Sequence, residues 1–329
     1  MTIQELQQRQ AWTLPQKIDH SLGVIEAFAS WFEGRVFVSF SGGKDSVVML
    51  TLCELVLPQV KAVFINTGCE SPSVCRFIHE QQQHHDIDII RPRKTLKQVF
   101  ADYGFPLVSK EISHDIHAIR LNPYSAFARR KLWLANRQCI PERWHYLLNE
   151  PYQVSDNCCR WLKKMPSEDY IKQTNTYPYI GILASESRLR TMNYVKRGGC
   201  NTFEVPYHSH PASWPLAIWT DDDVWRFIRD RRLPLPDIYD RGATRTGCMG
   251  CGFGVHRNGT SLTALRHLYP RWYEAIMRYE NNGTPYREAL RRMLAVVGRT
   301  LPDEGQQELM FDGFSQGPTH TDSPQKPHV

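Results

Sequence analysis

The chain has 329 residues, of which 41% are hydrophobic and 22% charged. That composition excludes a fibrous or fully disordered chain and allows one large core with a smaller appended region. No apolar run reaches the length of a membrane span, and the first residues lack a signal-peptide core. The cysteines number nine, an odd count that speaks against a disulfide framework. A cytoplasmic protein with no membrane partner is expected. The formal charge of +6 suits a polyanionic small molecule or a nucleic acid and does not choose between them.

In chain order, residues 1–15 are polar and read as a flexible N-terminus. Gln16 to Phe32 carries Ile18, Leu22, Ile25, Phe28 and Phe32 at helical spacing. The apolar run from Arg35 to Phe40 reads as a strand, and Ser46 to Leu57 as a helix ended by Pro58. Lys61 to Asn66 is a second buried strand, Pro72 to about His85 a helix, Asp86 to Ile90 a third strand, and Thr95 to Tyr103 a helix. Residues 109–156, rich in Arg, His, Trp and Tyr, read as a helical insertion. Tyr177 to Ala184 is another strand, and Thr220 is the expected N-cap of a helix over Asp221 to Arg231.

The alternation predicts an α/β fold, with a parallel sheet covered by helices on both faces. Residues 16–260 would form this domain, insertion included. Residues 261–300 would form C-terminal helices, and 301–329 a mostly disordered tail.

Between the first strand and its helix lies Ser41-Gly42-Gly43-Lys44-Asp45-Ser46. Gly42 and Gly43 let backbone N–H groups converge on one point, and the helix N-terminus adds its unpaired donors and dipole. Lys44 supplies a full positive charge, Ser41 and Ser46 supply hydroxyls, and Asp45 can face a metal ion or the backbone. The spacing differs from a Walker A loop, which places four residues between the first Gly and the Gly-Lys pair. The bland alternative is a Gly-rich turn with no ligand.

A second constellation is cysteine. Cys158 and Cys159 are adjacent at the start of a helical pattern, and Cys248-Met249-Gly250-Cys251 follows about ninety residues later. Two tight thiol pairs can close on one metal centre. Zinc accepts four cysteines, although its usual pairs are two to four residues apart; soft thiolates also suit iron–sulfur clusters. Unligated buried thiols are the remaining reading. Cys53 falls on an inward helical stripe, whereas Cys69 and Cys200 are either inert and buried or reactive.

The 41–46 segment resembles the signature of the PP-loop family, the adenine nucleotide α-hydrolases, which cleave ATP between the α- and β-phosphates. Ile65 to Pro72, Gly181 to Arg190, Pro215 to Trp225 and Asp240 to Cys251 resemble, in order, segments of phosphoadenosine phosphosulfate (PAPS) reductases. The resemblance covers residues 20–280 and is to the phage and bacterial branch of that family. It implies a Rossmann-like PP-loop fold that binds ATP or a PAPS- or APS-like nucleotide with Mg²⁺. Ser41 to Ser46, Asn66, Thr67, Gly68, Ser187, Arg188 and Arg190 would line the nucleotide site. Lys44, Asp45 and Arg190 would serve catalysis, and Arg241 and Arg245 would add phosphate contacts. The cysteine pattern resembles the [4Fe–4S] set of assimilatory adenylyl-sulfate reductases. The resemblance thus implies a cluster on Cys158, Cys159, Cys248 and Cys251, with Lys163 or Lys164 beside it.

Three departures from the reductases stand out. The family's reductases carry a C-terminal cysteine, and here none follows Cys251. Leu183 stands where the family has an arginine that reads sulfate, and leucine offers that anion no hydrogen bond. The loop is the full ATP-cleaving form. These departures favour an ATP-dependent adenylating or sulfur-transferring enzyme with a sulfur or electron donor protein. The alternatives are a phosphosulfate reductase using another thiol, such as Cys69 or Cys200, and a non-catalytic nucleotide sensor that switches a partner. A nucleic-acid acceptor is suggested by Arg129, Arg130, Lys131, Trp133, Arg137, Arg143, Trp144 and His145, whose bases and rings interleave. A helical lid with a solvated basic face is the competing reading.

Overall fold

A computed structural model describes residues 1–133, 139–204, 210–244, 246–258 and 260–303. The chain opens with α1 (Ile3–Gln10) and α2 (Leu14–Trp31). Strand β1 (Val36–Ser39), α3 (Lys44–Val56), β2 (Lys61–Ile65), α4 (Pro72–Gln81), β3 (Ile87–Ile90) and α5 (Leu96–Tyr103) follow. The insertion contributes α6 (Lys110–Leu121), α7 (Ala126–Trp133) and a 3-10 segment, Glu142–Leu148.

A single turn, α8 (Asn157–Cys159), then runs through a π-helical stretch, Arg160–Lys164, into α9 (Met165–Thr174). Next come β4 (Tyr177–Ile180), α10 (Arg188–Arg197), β5 (Asn201–Thr202), β6 (Ala212–Ser213) and α11 (Asp221–Arg231). The C-terminal part holds α12 (Val255–Asn258), α13 (Thr260–Leu268) and α14 (Pro270–Met277). A short hairpin, β7 (Glu280–Asn281) and β8 (Thr284–Pro285), and α15 (Tyr286–Ala295) complete it.

The main sheet has strand order β3-β2-β1-β4-β6-β5. Every pair is parallel except β5 with β6. The side-chain period of two decides what each face buries. Val36 and Val38 of β1 point into the larger core with α2, α3, α4 and α11. Phe37 points the other way, onto Tyr170 and Ile171 of α9. Helices therefore lie on both faces, as the alternation predicts.

Three expectations are corrected. Within residues 1–15, Ile3–Gln10 forms a helix and α2 begins at Leu14; Thr2 and Glu5 form a capping box, and Leu6 is 1% exposed against the core. The helical span expected over 261–300 is broken by the β7–β8 hairpin, where Asn282 and Gly283 both take positive φ. The insertion and the C-terminal helices are also not separate additions. Ile116, Ile119 and Trp144 share one core with Leu265, Ile276, Leu290 and Met293. That joint core forms a second, helical lobe beside the sheet. The tail expected over 301–329 is described only to Asp303, with Leu301 buried; the rest lies outside the described residues.

Candidate functional site

The loop leaves β1 after Ser39 and enters α3 with Gly43 as N-cap, two residues earlier than the apolar pattern suggested. Gly42 has φ +70°, and a side chain there would press on Val74 and Ile78 of α4. The hydroxyl of Ser46 donates to the Gly43 carbonyl at 2.8 Å and accepts the Ser41 N–H at 3.2 Å, so the two serines brace the turn. Gly181, just past β4, packs against the first turn of α3; a Cβ there would stand 2.8 Å from the Asp45 carbonyl.

Lys44 is buried, and its Nζ lies 2.8 Å from Asp45 Oδ1 and 2.5 Å from Asp221 Oδ1 at the start of α11. Burial alone would lower its pKa, but the two carboxylates outweigh burial and hold it above the ordinary lysine value. The Lys44 N–H donates to the Tyr239 hydroxyl at 2.9 Å. A Cβ on Gly43 would come within 2.5 Å of Thr246 Oγ1. Tyr239 and Thr246 therefore roof the loop. Tyr239, Thr246 and Asp221 were not singled out from the sequence. Asp221 was visible only as an acid in the first turn of a helix, where it complements the dipole.

The end of β2 lies next to the loop, because β1 and β2 are neighbours in the sheet. Asn66 Oδ1 accepts the Gly68 N–H at 3.1 Å, and Thr67 gives both its N–H and its hydroxyl to Glu70. The other expected nucleotide residues lie past β4. Ser187 caps α10 by accepting the Arg190 N–H, Arg190 pairs with Glu186, and Arg188 is exposed. Arg241 pairs with Asp237 at 2.5 Å. Arg245 lies outside the described residues. Leu183 is fully buried in the sheet core, which gives its apolar side chain a packing role.

Cys158, Cys159, Cys248 and Cys251 line one cavity of about 30 Å³, whose other walls include Leu96, Phe100, Pro106, Leu162 and Met249. The cysteine loop is seated tightly. The Tyr286 hydroxyl donates to the Gly250 carbonyl at 3.0 Å, and a Cβ on Gly252 would stand 2.2 Å from the Pro106 carbonyl. The Met249 N–H donates to the Cys69 carbonyl at 2.6 Å, joining this loop to the end of β2.

The thiols differ in their surroundings. Hydrogen bonding with Cys159, then burial, raises Cys158 well above the ordinary value. Burial raises Cys248, and raises Cys251 to about 11. Cys159 is lowered by the Cys158 hydrogen bond, with Lys110 and Lys163 assisting. Lys163, rather than Lys164, reaches Cys248; its interaction with Cys248, with Glu70 and Cys159 assisting, outweighs the cost of burial and raises the lysine pKa.

Four soft donors in an apolar pocket resist ionising together unless a positive centre sits among them, so the donor set fits a thiolate-held cluster. Among the described residues, no three His, Cys, Asp or Glu side chains stand close enough to grip one ion. Cys69 and Cys200 are both buried, and burial raises both thiols. Among the described residues no helix is long and apolar enough to cross a membrane.

The aromatic insertion divides in two. Trp144 is buried edge-on against His256, and Lys131 is buried on Asp115 at 2.7 Å, so neither faces a partner. Tyr124 and Trp133 remain exposed, and Arg137 lies outside the described residues.

Among curated proteins, the uncharacterized protein MJ0066 of Methanocaldococcus jannaschii is 26% identical over 263 residues, 79% of this chain and 45% of that protein. The adenosine 5'-phosphosulfate reductase of Staphylococcus epidermidis is 23% identical over 221 residues, 67% of this chain and 71% of that protein. The chain spans about half the length of the first of these relatives. Among solved structures, the phosphoadenylyl-sulfate reductase from Candida auris, a phosphate complex, aligns with TM-score 0.41 and 14% identity over 70% of this chain and 93% of that one. The phosphoadenosine phosphosulfate reductase domain model matches residues 35–122 and 129–252. Those stretches carry the loop after β1, the end of β2 and both cysteine pairs, and the chain belongs to this family.

Proposed function

We propose that the protein binds ATP at the 41–46 loop and cleaves it at the α-phosphate, as an adenylating step that precedes sulfur transfer to an acceptor. The observation that carries this reading is the braced Ser41–Ser46 turn, with Gly43 capping α3 and Lys44 at its centre. In the first step an acceptor oxygen forms a bond to the α-phosphorus. The bridging P–O bond to the β-phosphate breaks, pyrophosphate leaves with the electron pair, and the acceptor's proton passes to solvent. A sulfur nucleophile from a donor protein then displaces AMP. Lys44 and the positive end of the α3 dipole stabilise the charge that grows on the leaving phosphates.

Asp45 and Asp221 offer hard oxygen donors beside Lys44. They would hold Mg²⁺ together with the phosphates, since this ion commonly takes one or two carboxylates. Cys158, Cys159, Cys248 and Cys251 would hold a [4Fe–4S] cluster, which supplies electron-transfer or sulfur-handling chemistry when bound. Lys163 would balance the negative charge of that set.

The second reading, phosphosulfate reduction, is favoured by the name of the Staphylococcus relative. It requires a thiol outside the four, and Cys69 and Cys200 are buried with raised pKa values. The experiment is anaerobic incubation with ATP, Mg²⁺ and candidate acceptors, measuring AMP and pyrophosphate. Acceptor-dependent release of both is expected. Thioredoxin-dependent sulfite release from a phosphosulfate, without ATP cleavage, would establish the second reading instead.

A further inference from the structure

Three consecutive strand ends line the same edge of the sheet. The loop after β1 is the 41–46 turn, and the loop after β2 carries Cys69, which is hydrogen-bonded to the cysteine loop. The loop after β3 has no role in the function proposed above. It borders a cleft of about 300 Å³ between Ile90, Arg91 and Arg93 on one side and Trp161 with the first turns of α9 on the other. Ligands of open α/β sheets gather at this carboxyl edge. Two strand spacings, about 10 Å, separate β3 from β1.

We propose that this cleft binds one nucleotide unit of the acceptor, with the base against Trp161 and the phosphate at Arg91. The proposal rests on the reading that the protein modifies an acceptor, and adds its chemical class. Five observations support it. Trp161 is held flat by Tyr103, whose ring stacks on it at 5.5 Å and 26°, and Lys94 sits 4.7 Å from the indole centroid. An indole fixed in this way at the cleft wall offers an aromatic contact to a base of any identity.

Arg93 is tied to Asp169 at 2.9 Å, whereas Arg91 stands exposed beside it, a planar donor suited to phosphate. Gln173 at the far wall offers both a donor and an acceptor to a base edge. The volume is at the low end for ligand sites and suits a single nucleoside, not a folded domain. Trp161, Cys158 and Cys248 all pack against the small core of Cys69, Val99 and Leu162, so the cleft and the cysteine set share one wall.

The test measures binding to the full chain with the 41–46 loop saturated by a non-hydrolysable ATP analogue. The probes are the four 5'-mononucleotides and a ten-nucleotide single-stranded RNA. Wild type is expected to bind at least one probe, and Arg91→Glu to lose at least tenfold in affinity. Gln173→Ala is expected to lose severalfold with a change in base preference. Arg226→Glu makes the same charge change on the exposed face of α11 and is expected to stay within twofold. Affinity for the RNA alone identifies a polymer acceptor, and affinity for mononucleotides alone a free one; both support the site. No binding, equal binding by Arg91→Glu, or preference for a phosphotyrosine peptide overturns it. Failure here with intact ATP cleavage removes only the cleft. Intact Arg91-dependent binding without ATP cleavage removes only the adenylation reading.

Discussion

The ammonium of Lys44 lies 2.5 Å from a carboxylate oxygen of Asp221, a residue 177 positions away. The lysine at the centre of the phosphate loop is thereby matched in charge by the first residue of α11. A polyphosphate arriving at the loop must displace that carboxylate or bridge it through a cation. Asp221→Asn is expected to raise affinity for Mg²⁺-free pyrophosphate about fivefold, near 1 kcal/mol for a pair with one exposed partner. Lys44→Ala is expected to lose most of the affinity. Titration calorimetry with and without Mg²⁺ reads both. Unchanged affinity in Asp221→Asn would mean the carboxylate does not compete with phosphate.

Gly181→Ala tests how closely β4 is fitted to the loop. The added methyl would meet the Asp45 carbonyl carbon at 3.0 Å and the Ser46 nitrogen at 3.3 Å, both backbone. Neither can swing aside, so the first turn of α3 must shift. A loss of about 1–3 kcal/mol in stability is expected from overpacking. Weaker nucleotide binding should accompany it. A variant that melts like wild type and binds ATP equally would show that the two elements can part freely.

Acid should expose the Lys17–Asp223 pair. Lys17 is 2% exposed and lies 2.5 Å from Asp223, which also closes the capping box of α11 with Thr220. Burial would raise the Asp223 carboxyl, but Lys17 and Thr220 hold it below the ordinary aspartate value. A lowered carboxyl pKa gives stability that is complete above the unfolded value and is lost as pH falls through the folded one. Asp223→Asn should therefore cost about 3 kcal/mol at neutral pH by stranding a buried ammonium. The gap to wild type should narrow below about pH 4. Urea unfolding at neutral and acid pH reads the difference; a gap that does not narrow would remove the pair as its source.

Anaerobically purified protein is expected to be brown, from iron–thiolate absorption, and to lose the colour in Cys159→Ser and Cys248→Ser. Iron and acid-labile sulfide assays check it. Colourless protein with one tightly held zinc would overturn the cluster.

Much of the sheet was legible because β1 to β4 are short apolar runs set between strong helical spacings, and the Ser41–Ser46 turn falls where a strand feeds a helix. The misses share a physical cause. Leu6 is one apolar side chain on a polar helix, and its burial depends on a core built from distant residues. Asn282-Gly283 is a turn signal, but the strands it joins are two residues each, too short for a period of two to register. Trp144 looked like a stacking surface until α12 supplied His256 to cover it. Tyr239 and Asp221 act on Lys44 through tertiary contact, and no local pattern marks them.

The hydrogen bond from the Met249 N–H to the Cys69 carbonyl makes one backbone link serve two chemistries. A shift of the peptide that leaves β2 would strain or break this contact with the cysteine loop. If the thiol set takes up a metal centre and the 41–46 loop a nucleotide, as proposed, the two equilibria would be linked through this contact. Whatever factor the one contributes to the affinity of the other must be returned in full, because binding free energies close around a cycle. A chain stripped of metal would report this as a changed nucleotide dissociation constant, and a nucleotide-saturated chain as a changed resistance to chelators.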